Sequence, residues 1–185
     1  MKVSTFLVEG FETVEALAVV DVLKRAGVEV LLVSVQNTEF VKSAQSITVK
    51  ADMLWDDYKN SEYKDGSDLY FLPGGPGTHN YESNKELLDL IVAKCSENKR
   101  IAAICAGPTI FGHLNLLQGK NAICFPGCEG DLYGANIIAG ARVVTDGNIT
   151  TSRGMGTSID LGLELVKLLV SAEKAEQLGI STQYK

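Results

Sequence analysis

The stretch RIAAICAGPTIFG, residues 100–112, decides the fold of this chain of 185 residues. Apolar residues run into Cys105, and the sequence then turns at once through Ala-Gly-Pro into a second apolar segment. This order predicts a buried strand that ends at Cys105, followed by a helix with Pro108 in its first turn, where proline is favoured. The cysteine has two interpretations. It can pack as a small apolar side chain, or it can form a reactive thiolate, because the amides that begin a helix favour an anion.

Strands and helices alternate along the rest of the chain. Residues 28–35 carry β-branched side chains on both faces, which indicates a sheet that is covered on both sides. The alternation predicts the α/β class, as a three-layer α/β/α sandwich with a mostly parallel sheet. The predicted strands are 2–8, 28–35, 68–75 with its terminal glycine loop, 101–105 and 121–125, the predicted helices are 12–27, 84–100, 107–119, 158–172 and 173–180, and the predicted hairpins are 39–50, at a sheet edge, and 141–152.

Length and composition limit the possible classes of protein. The chain suits one α/β domain, and residues 1–185 contain no linker, repeat or low-complexity segment. The net charge of −6 and the lack of a Lys/Arg-rich run argue against nucleic acid or an anionic membrane surface as a partner. Glu9 and Glu12 interrupt the first apolar run, which therefore predicts a strand and not a signal peptide. Because no apolar stretch approaches the ~20 residues of a membrane span, we expect a soluble, cytoplasmic protein.

The four cysteines are Cys95, Cys105, Cys124 and Cys128. In a cytosolic chain of this size we expect free thiols and not a disulfide framework. Cys124 and Cys128 have the spacing C-x3-C, but no histidine stands at a zinc-ligand spacing from them, so no metal site is predicted. The two can be resolving thiols, although we favour packing as small apolar side chains.

Three segments are expected to meet at the carboxyl edge of the sheet, where ligands bind in folds of this kind. Cys105 ends one strand, and the glycines of PGGPG, residues 73–77, end another and let backbone N–H groups approach a reacting atom. The N–H groups of Gly75 and Ala106 can then form an oxyanion hole. Glu15 lies in the first turn of the helix after the first strand, where a buried, protonated carboxyl can donate a hydrogen bond to a thiolate.

Each of these features also has a purely structural interpretation. A cysteine with apolar neighbours is often part of a core, and a Gly-Gly loop often only turns the chain. A glutamate in the first turn of a helix often only complements the helix dipole. The spacing alone therefore leaves the structural and the functional interpretations open.

The order of the motifs adds a resemblance that covers nearly the whole chain. LVEGFETVEALAVVDVLKRAG (7–27), LPGGPG (72–77), AAICAGP (102–108) and TSRGMGTSIDLGLELV (151–166) resemble the ThiJ/PfpI superfamily, specifically the branch of the parkinsonism-associated protein deglycase. The resemblance implies a flavodoxin-like fold, a homodimer and no cofactor. It further implies that Cys105 is the cysteine of the family's elbow and that Glu15 bonds its thiolate. The implied oxyanion and substrate-binding residues are Gly74, Gly75, Ala106, Ser152, Arg153 and Gly154.

Two departures from the family pattern matter. Ala106 follows the cysteine where the protease-like branch has histidine, which argues against a peptidase or a glutaminase-type amidotransferase. Phe125 and Pro126 stand where some members of the deglycase branch have His-Pro, so no matched general base exists. His79 can substitute from its place after the glycine loop or can be a simple loop residue, and His113 is expected to be structural.

These observations predict a cysteine-dependent enzyme of the glyoxalase or deglycase type. The thiolate of Cys105 would attack a small α-oxoaldehyde such as methylglyoxal, or its adduct on an amine or thiol, and Glu15 would move the proton needed to form a hydroxy acid. The alternative is a non-enzymatic oxidative-stress sensor or chaperone-like protein in which peroxide oxidises Cys105. Both need the same low-pKa thiol. A nucleotide binder is disfavoured, because PGGPG lacks the Lys-Ser/Thr of a phosphate loop.

Overall fold

The central strands are apolar on both faces, as a sheet between two layers of helices requires. In the computed structural model, which describes residues 1–184, the side chains of 3–7 and of 69–72 are all buried. The strands are β1 (Lys2–Leu7), β2 (Glu29–Ser34), β3 (Phe40–Lys42), β4 (Thr48–Lys50), β5 (Met53–Leu54), β6 (Leu69–Leu72), β7 (Arg100–Ile104), β8 (Asn121–Ala122), β9 (Asn136–Ile137), β10 (Val143–Asp146) and β11 (Ile149–Ser152). The α-helices are α1 (Thr13–Arg25), α2 (Trp55–Tyr58), α3 (Tyr63–Gly66), α4 (Lys85–Ser96), α5 (Pro108–His113), α6 (Ser158–Leu169) and α7 (Ala172–Ser181). Short 3-10 helices cover Pro76–Ser83, Glu129–Asp131 and Met155–Thr157.

Seven of these strands form one sheet in the order β10-β11-β7-β6-β1-β2-β5. Its neighbouring strands are parallel except for the antiparallel pair of β10 and β11. Because β6 lies between β1 and β7, the carboxyl ends of these three strands meet at one edge. The start of α1, the glycine loop and the turn at Cys105 follow those ends. The predicted flavodoxin-like sandwich with a mostly parallel sheet is confirmed.

Two apolar cores hold the layers together. Leu23 of α1 and Leu165 of α6 belong to the core on one face of the sheet, and Leu87 of α4 and Phe111 of α5 belong to the core on the other. Within residues 1–184, none of the helices is long and apolar enough to cross a membrane.

The predicted strand over 121–125 is wrong in length and in place. Only β8 is extended there, and it pairs with β9 in a separate two-stranded sheet. Phe125 begins a tight turn in which its carbonyl accepts a hydrogen bond from the N–H of Cys128 at 3.0 Å. Pro126 has no N–H for a strand ladder, and Gly127 has a φ of +98°, which suits the third position of a type II turn. The position beside β7 is occupied by β11.

Two further predictions differ from the structure in extent. The helix predicted over 107–119 ends at His113, and Asn115 then takes a left-handed φ of +58°. The hairpin predicted over 39–50 forms from β3 and β4, but it makes a small sheet of its own, and β5 is the edge strand of the main sheet. The hairpin over 141–152 is confirmed as β10 and β11. The sequence analysis did not predict the short elements β5, α2 and α3.

Helices α1 and α6 approach each other closely enough to require a glycine. A Cβ atom placed on Gly162 of α6 would lie 2.9 Å from Cβ of Val22 on α1, and that atom cannot move without its backbone. An alanine at an exposed helix position usually stabilises a helix by up to about 1 kcal/mol relative to glycine. At position 162 the steric overlap with Val22 makes alanine destabilising instead.

We expect Gly162→Ala to lower the free energy of unfolding by about 1–3 kcal/mol, as overpacked cores do. Urea unfolding followed by circular dichroism measures the change. Gly66→Ala in α3 is the matched control, because nothing lies within 4 Å of its Cβ position, and it should leave stability unchanged or slightly raised. A Gly162→Ala variant as stable as the native chain would contradict the packing described for α1 and α6.

Candidate active site

Cys105 sits on a sharp turn between β7 and α5. Its φ of +63° is left-handed, a conformation that costs a residue other than glycine roughly 1–2 kcal/mol. Two backbone hydrogen bonds hold this conformation. The Cys105 N–H donates to the carbonyl of Ser152 at 2.9 Å, and the Phe125 N–H donates to the carbonyl of Cys105 at 2.8 Å. The turn leaves the thiol half-buried at the carboxyl edge of the sheet.

The glycine loop after β6 brings backbone N–H groups to this thiol. A Cβ on Gly74 would lie 2.6 Å from both Cβ of Cys105 and Oε2 of Glu15, so only glycine lets the backbone pass beside them. Gly75 has a φ of +109°, and its Cβ position is 2.5 Å from the backbone nitrogen of Glu12. The N–H groups of Gly75 and Ala106 both stabilise the ionised sulfur of Cys105. The two predicted oxyanion donors therefore face the same atom.

Glu15 reaches the site from the first turn of α1. Glu12 is the N-cap of this helix, and its carboxylate accepts a hydrogen bond from the Glu15 N–H at 2.7 Å. The Glu15 side chain points inward and is 1% exposed. Its Oε2 atom is buried and forms no hydrogen bond of ordinary geometry with any group in residues 1–184. The carboxyl group is thus held, away from solvent, beside Cys105.

Burial raises the pKa of the Glu15 carboxyl to about 7. The hydrogen bond with Cys105 and the N–H groups of Gly74 and Met155 lower this pKa, and the charge of Glu12 raises it further.

Once Glu15 is ionised, the thiol of Cys105 keeps its proton. Burial, followed by the charge of Glu15 and the hydrogen bond to it, raises the pKa of Cys105 to about 12, against the effect of the two N–H donors. The pair therefore loses its first proton near pH 7 and its second only in strongly alkaline solution. Such a pair titrates with apparent pKa values that belong to both groups. The predicted hydrogen bond from a protonated Glu15 to a low-pKa thiolate describes one of the two singly charged forms, and it stays a prediction.

The other predicted site residues occupy different places around this pair. Ser152 is buried, and its hydroxyl donates to the carbonyl of Arg142 at 2.7 Å and lies 2.6 Å from Oγ1 of Thr157. Its hydroxyl is therefore occupied, and Ser152 acts on the site through its carbonyl. Gly154 separates two side chains, since a Cβ there would lie 3.4 Å from Cδ2 of Phe125 and 3.9 Å from Oε1 of Glu15.

A cavity of about 430 Å³ opens next to Gly154. Arg153 lines the cavity, and its side chain forms no hydrogen bond or ion pair with another residue of the described range 1–184. The sequence analysis missed Met155, whose side chain lines the cavity and whose N–H stabilises the Glu15 carboxylate. The signal in the sequence was its place between Gly154 and Gly156, directly after the predicted substrate-binding residues. The full lining is Phe125, Pro126, Arg142, Arg153, Gly154, Met155, Gly156 and Thr157.

The histidines and the remaining cysteines have other contacts. The exposed His79 has Nδ1 2.9 Å from the carbonyl of Pro76, within its own 3-10 turn. His113 at the end of α5 contacts the 3-10 helix Pro76–Ser83, with Nδ1 2.6 Å from Oε1 of Glu82. Cys124 is buried in an apolar core, and Cys128 packs against that core. These contacts favour packing as the role of both cysteines.

We expect alkylation of Cys105 by iodoacetamide to show a first ionisation near pH 7, because removal of the first proton from the pair places part of the charge on sulfur. Glu15→Leu removes the proton-sharing partner but keeps the thiol half-buried, so the midpoint should rise above the ordinary ~8.5. Glu15→Gln retains an N–H donor and should raise it less.

Cys95 is the internal control in the same reaction. Burial raises the pKa of its thiol and Glu15 does not contribute, so its midpoint should be the same in all three proteins. Peptide mass spectrometry separates the two cysteines. A Cys105 midpoint that stays constant or falls in Glu15→Leu would show that the two groups do not share a proton.

The fold and the site together define a flavodoxin-like α/β protein with a cysteine on the turn after a central strand and a buried glutamate beside it. The model of the DJ-1/PfpI family matches residues 1–168, and the chain belongs to this family. The resemblance inferred from the motifs is confirmed.

Curated relatives agree with this assignment. Protein DJ-1 homolog B of Arabidopsis thaliana is 36% identical and aligns with 96% of this chain and 40% of its own length. The Parkinson disease protein 7 homolog of Danio rerio is 32% identical, over 93% of this chain and 91% of its own. The chain spans less than half the length of the two Arabidopsis thaliana relatives that it matches.

A solved structure has the same fold over nearly the whole chain. Oxidised DJ-1 of Toxoplasma gondii superposes with a TM-score of 0.90 at 32% identity, covering 98% of this chain and 97% of the other.

Proposed function

We propose that this protein is a cysteine-dependent enzyme of the glyoxalase or deglycase type, acting on small α-oxoaldehydes or on their adducts with amines and thiols. The observation that carries the proposal is the buried carboxyl of Glu15 beside a thiol that faces two backbone N–H donors. Two relatives have names that support it. A deglycase of Pyrococcus abyssi is 31% identical over 91% of this chain and 99% of its own, and a glutathione-independent glyoxalase of Caenorhabditis elegans is 28% identical over 92% and 89%.

The proposed reaction begins when the sulfur of Cys105 attacks the aldehyde carbon and forms a C–S bond. The former aldehyde oxygen gains negative charge, and the N–H groups of Gly75 and Ala106 are positioned to stabilise it. Glu15 takes the thiol proton and passes it to this oxygen, which gives a hemithioacetal. Glu15 then accepts the proton from the former aldehyde carbon and returns it to the neighbouring carbonyl carbon, while the hydroxyl proton moves to the neighbouring oxygen, which leaves a thioester of a 2-hydroxy acid. Water hydrolyses the thioester and frees Cys105. One molecule of water is consumed, and no external oxidant, reductant, metal or cofactor is needed.

Glu15 suits this role without a histidine partner. Its pKa of about 7 means that it can both accept and release a proton near neutral pH, which is the condition for a general acid–base catalyst. Phe125, where some family members have histidine, has no titratable group, so this mechanism assigns every proton transfer to Glu15.

The sensor alternative has no specific observation in its favour. Oxidation by peroxide depends on thiolate character and access, and it needs neither an acid–base group nor two convergent N–H donors. The site contains both, and they are what carbonyl chemistry uses.

We expect Cys105→Ala to abolish methylglyoxal consumption and lactate formation, because the alanine side chain cannot form the C–S bond. Cys95→Ala is the matched control and should keep most of the activity, since Cys95 lies at the carboxyl end of α4, contacts Asn148 and is outside the site. Lactate is measured by chromatography. Wild-type rates in Cys105→Ala would overturn the assignment.

We also propose that the chain acts as a homodimer. Large apolar side chains are exposed on α1 and on the loop between β3 and β4, among them Val14 and Ile47, and association would cover such groups. Sedimentation velocity at micromolar concentration should give the mass of a dimer, roughly twice 19.9 kDa. A monomer under these conditions would contradict the proposal.

A further inference from the structure

We propose that the cavity next to Gly154 binds the substituent of the α-oxoaldehyde and makes the enzyme prefer aromatic substituents to the methyl group of methylglyoxal, with Phe125 as the specificity-determining residue. The inference rests on the proposed function, because it assumes that the aldehyde group reacts at Cys105.

The cavity lies where a substituent of the bound aldehyde would extend. Gly154 forms part of its lining, and the Cβ position of this glycine is 3.9 Å from Oε1 of Glu15. The Phe125 N–H donates to the carbonyl of Cys105 at 2.8 Å, so the turn that presents the Phe125 ring is fixed to the cysteine. Gly154 therefore lies between the cavity and the Glu15 carboxyl, and it places no side chain there.

The walls of the cavity suit an aromatic ring. Phe125 is 50% exposed and Met155 is 55% exposed, which leaves an aromatic face and a thioether without apolar partners. Aromatic rings pack well against both kinds of group. None of the eight lining residues is acidic, and two are arginines, so the cavity does not favour a cationic substituent.

The size of the cavity argues in the same direction. A dry cavity of about 150 Å³ is enough to bind a benzene ring, and this cavity measures about 430 Å³. A methyl group would leave most of that space to water, whereas a phenyl group would remove water from both apolar walls. Burial of the additional apolar area is favourable roughly in proportion to its size.

The test compares phenylglyoxal with methylglyoxal. Because phenylglyoxal also modifies arginine, the readout is formation of the 2-hydroxy acid, mandelate or lactate, and not loss of aldehyde. We expect a higher kcat/KM for phenylglyoxal in the native chain. Phe125→Ala should lower it by about 10-fold or more, within the range for loss of apolar pocket contacts, and should change the value for methylglyoxal by less than about 3-fold. Phe40→Ala on β3, which removes another exposed aromatic ring, is the matched control and should change neither.

Failure of this inference is distinguishable from failure of the proposed function. If the native chain converts methylglyoxal but has no preference for phenylglyoxal, or if Phe125→Ala lowers both values equally, the inference is overturned and the proposed function stands. If neither 2-hydroxy acid forms, the proposed function fails and the cavity is tested by protection of Cys105 from iodoacetamide. Phenylglyoxylate should then protect better than pyruvate, and Phe125→Ala should remove the difference. Equal protection by both would overturn the inference.

Discussion

The buried carboxyl of Glu15 beside the half-buried thiol of Cys105 is the constraint on which the site depends. Two negative charges this close and this poorly solvated are strongly disfavoured, so the pair keeps one proton through the neutral range. The negative charge can lie on the sulfur of Cys105 or on the carboxylate of Glu15. Two backbone N–H groups stabilise the charge on the sulfur, and two others stabilise it on the carboxylate. These donors come from the segments after β6, β7 and β11, and the carboxylate comes from the helix after β1. The order of strands in the sheet therefore sets the chemistry of the pair.

Much of the fold could be predicted because local patterns determined it. The apolar periodicity over α1, α4 and α6 and the Asp-Gly-Asn turn between β10 and β11 are complete signals within the sequence. The strand predicted over 121–125 does not form over its full length, because Pro126 and Gly127 favour a turn. Their preference overrides the strand preference of the apolar residues before them. The small sheet of β3 and β4 and the edge position of β5 depend on which strands lie side by side in the folded chain. Periodicity does not contain that information.

The site was predictable to the extent that it follows from the ends of neighbouring strands. The convergence of Glu15, Cys105 and the glycine loop needs only that β1, β6 and β7 are adjacent. The depth at which the Glu15 carboxyl is buried depends on packing from several elements, and so does the use of the Ser152 hydroxyl in hydrogen bonds away from the pair. Ser152 lies beside Cys105 in the structure, and its carbonyl, not its hydroxyl, accepts the hydrogen bond from the Cys105 N–H.

The burial of Glu15 also links folding to proton binding. The pKa of this group is about 7 in the folded chain, and its ordinary value is 4.5. Between these values the unfolded chain has already released a proton that the native chain still holds, so unfolding releases a proton. The contribution of this group to stability is complete below the ordinary value and is lost as the pH rises through about 7. The native state thus becomes less stable over the same pH range in which the Glu15 carboxyl gives up its proton to solvent.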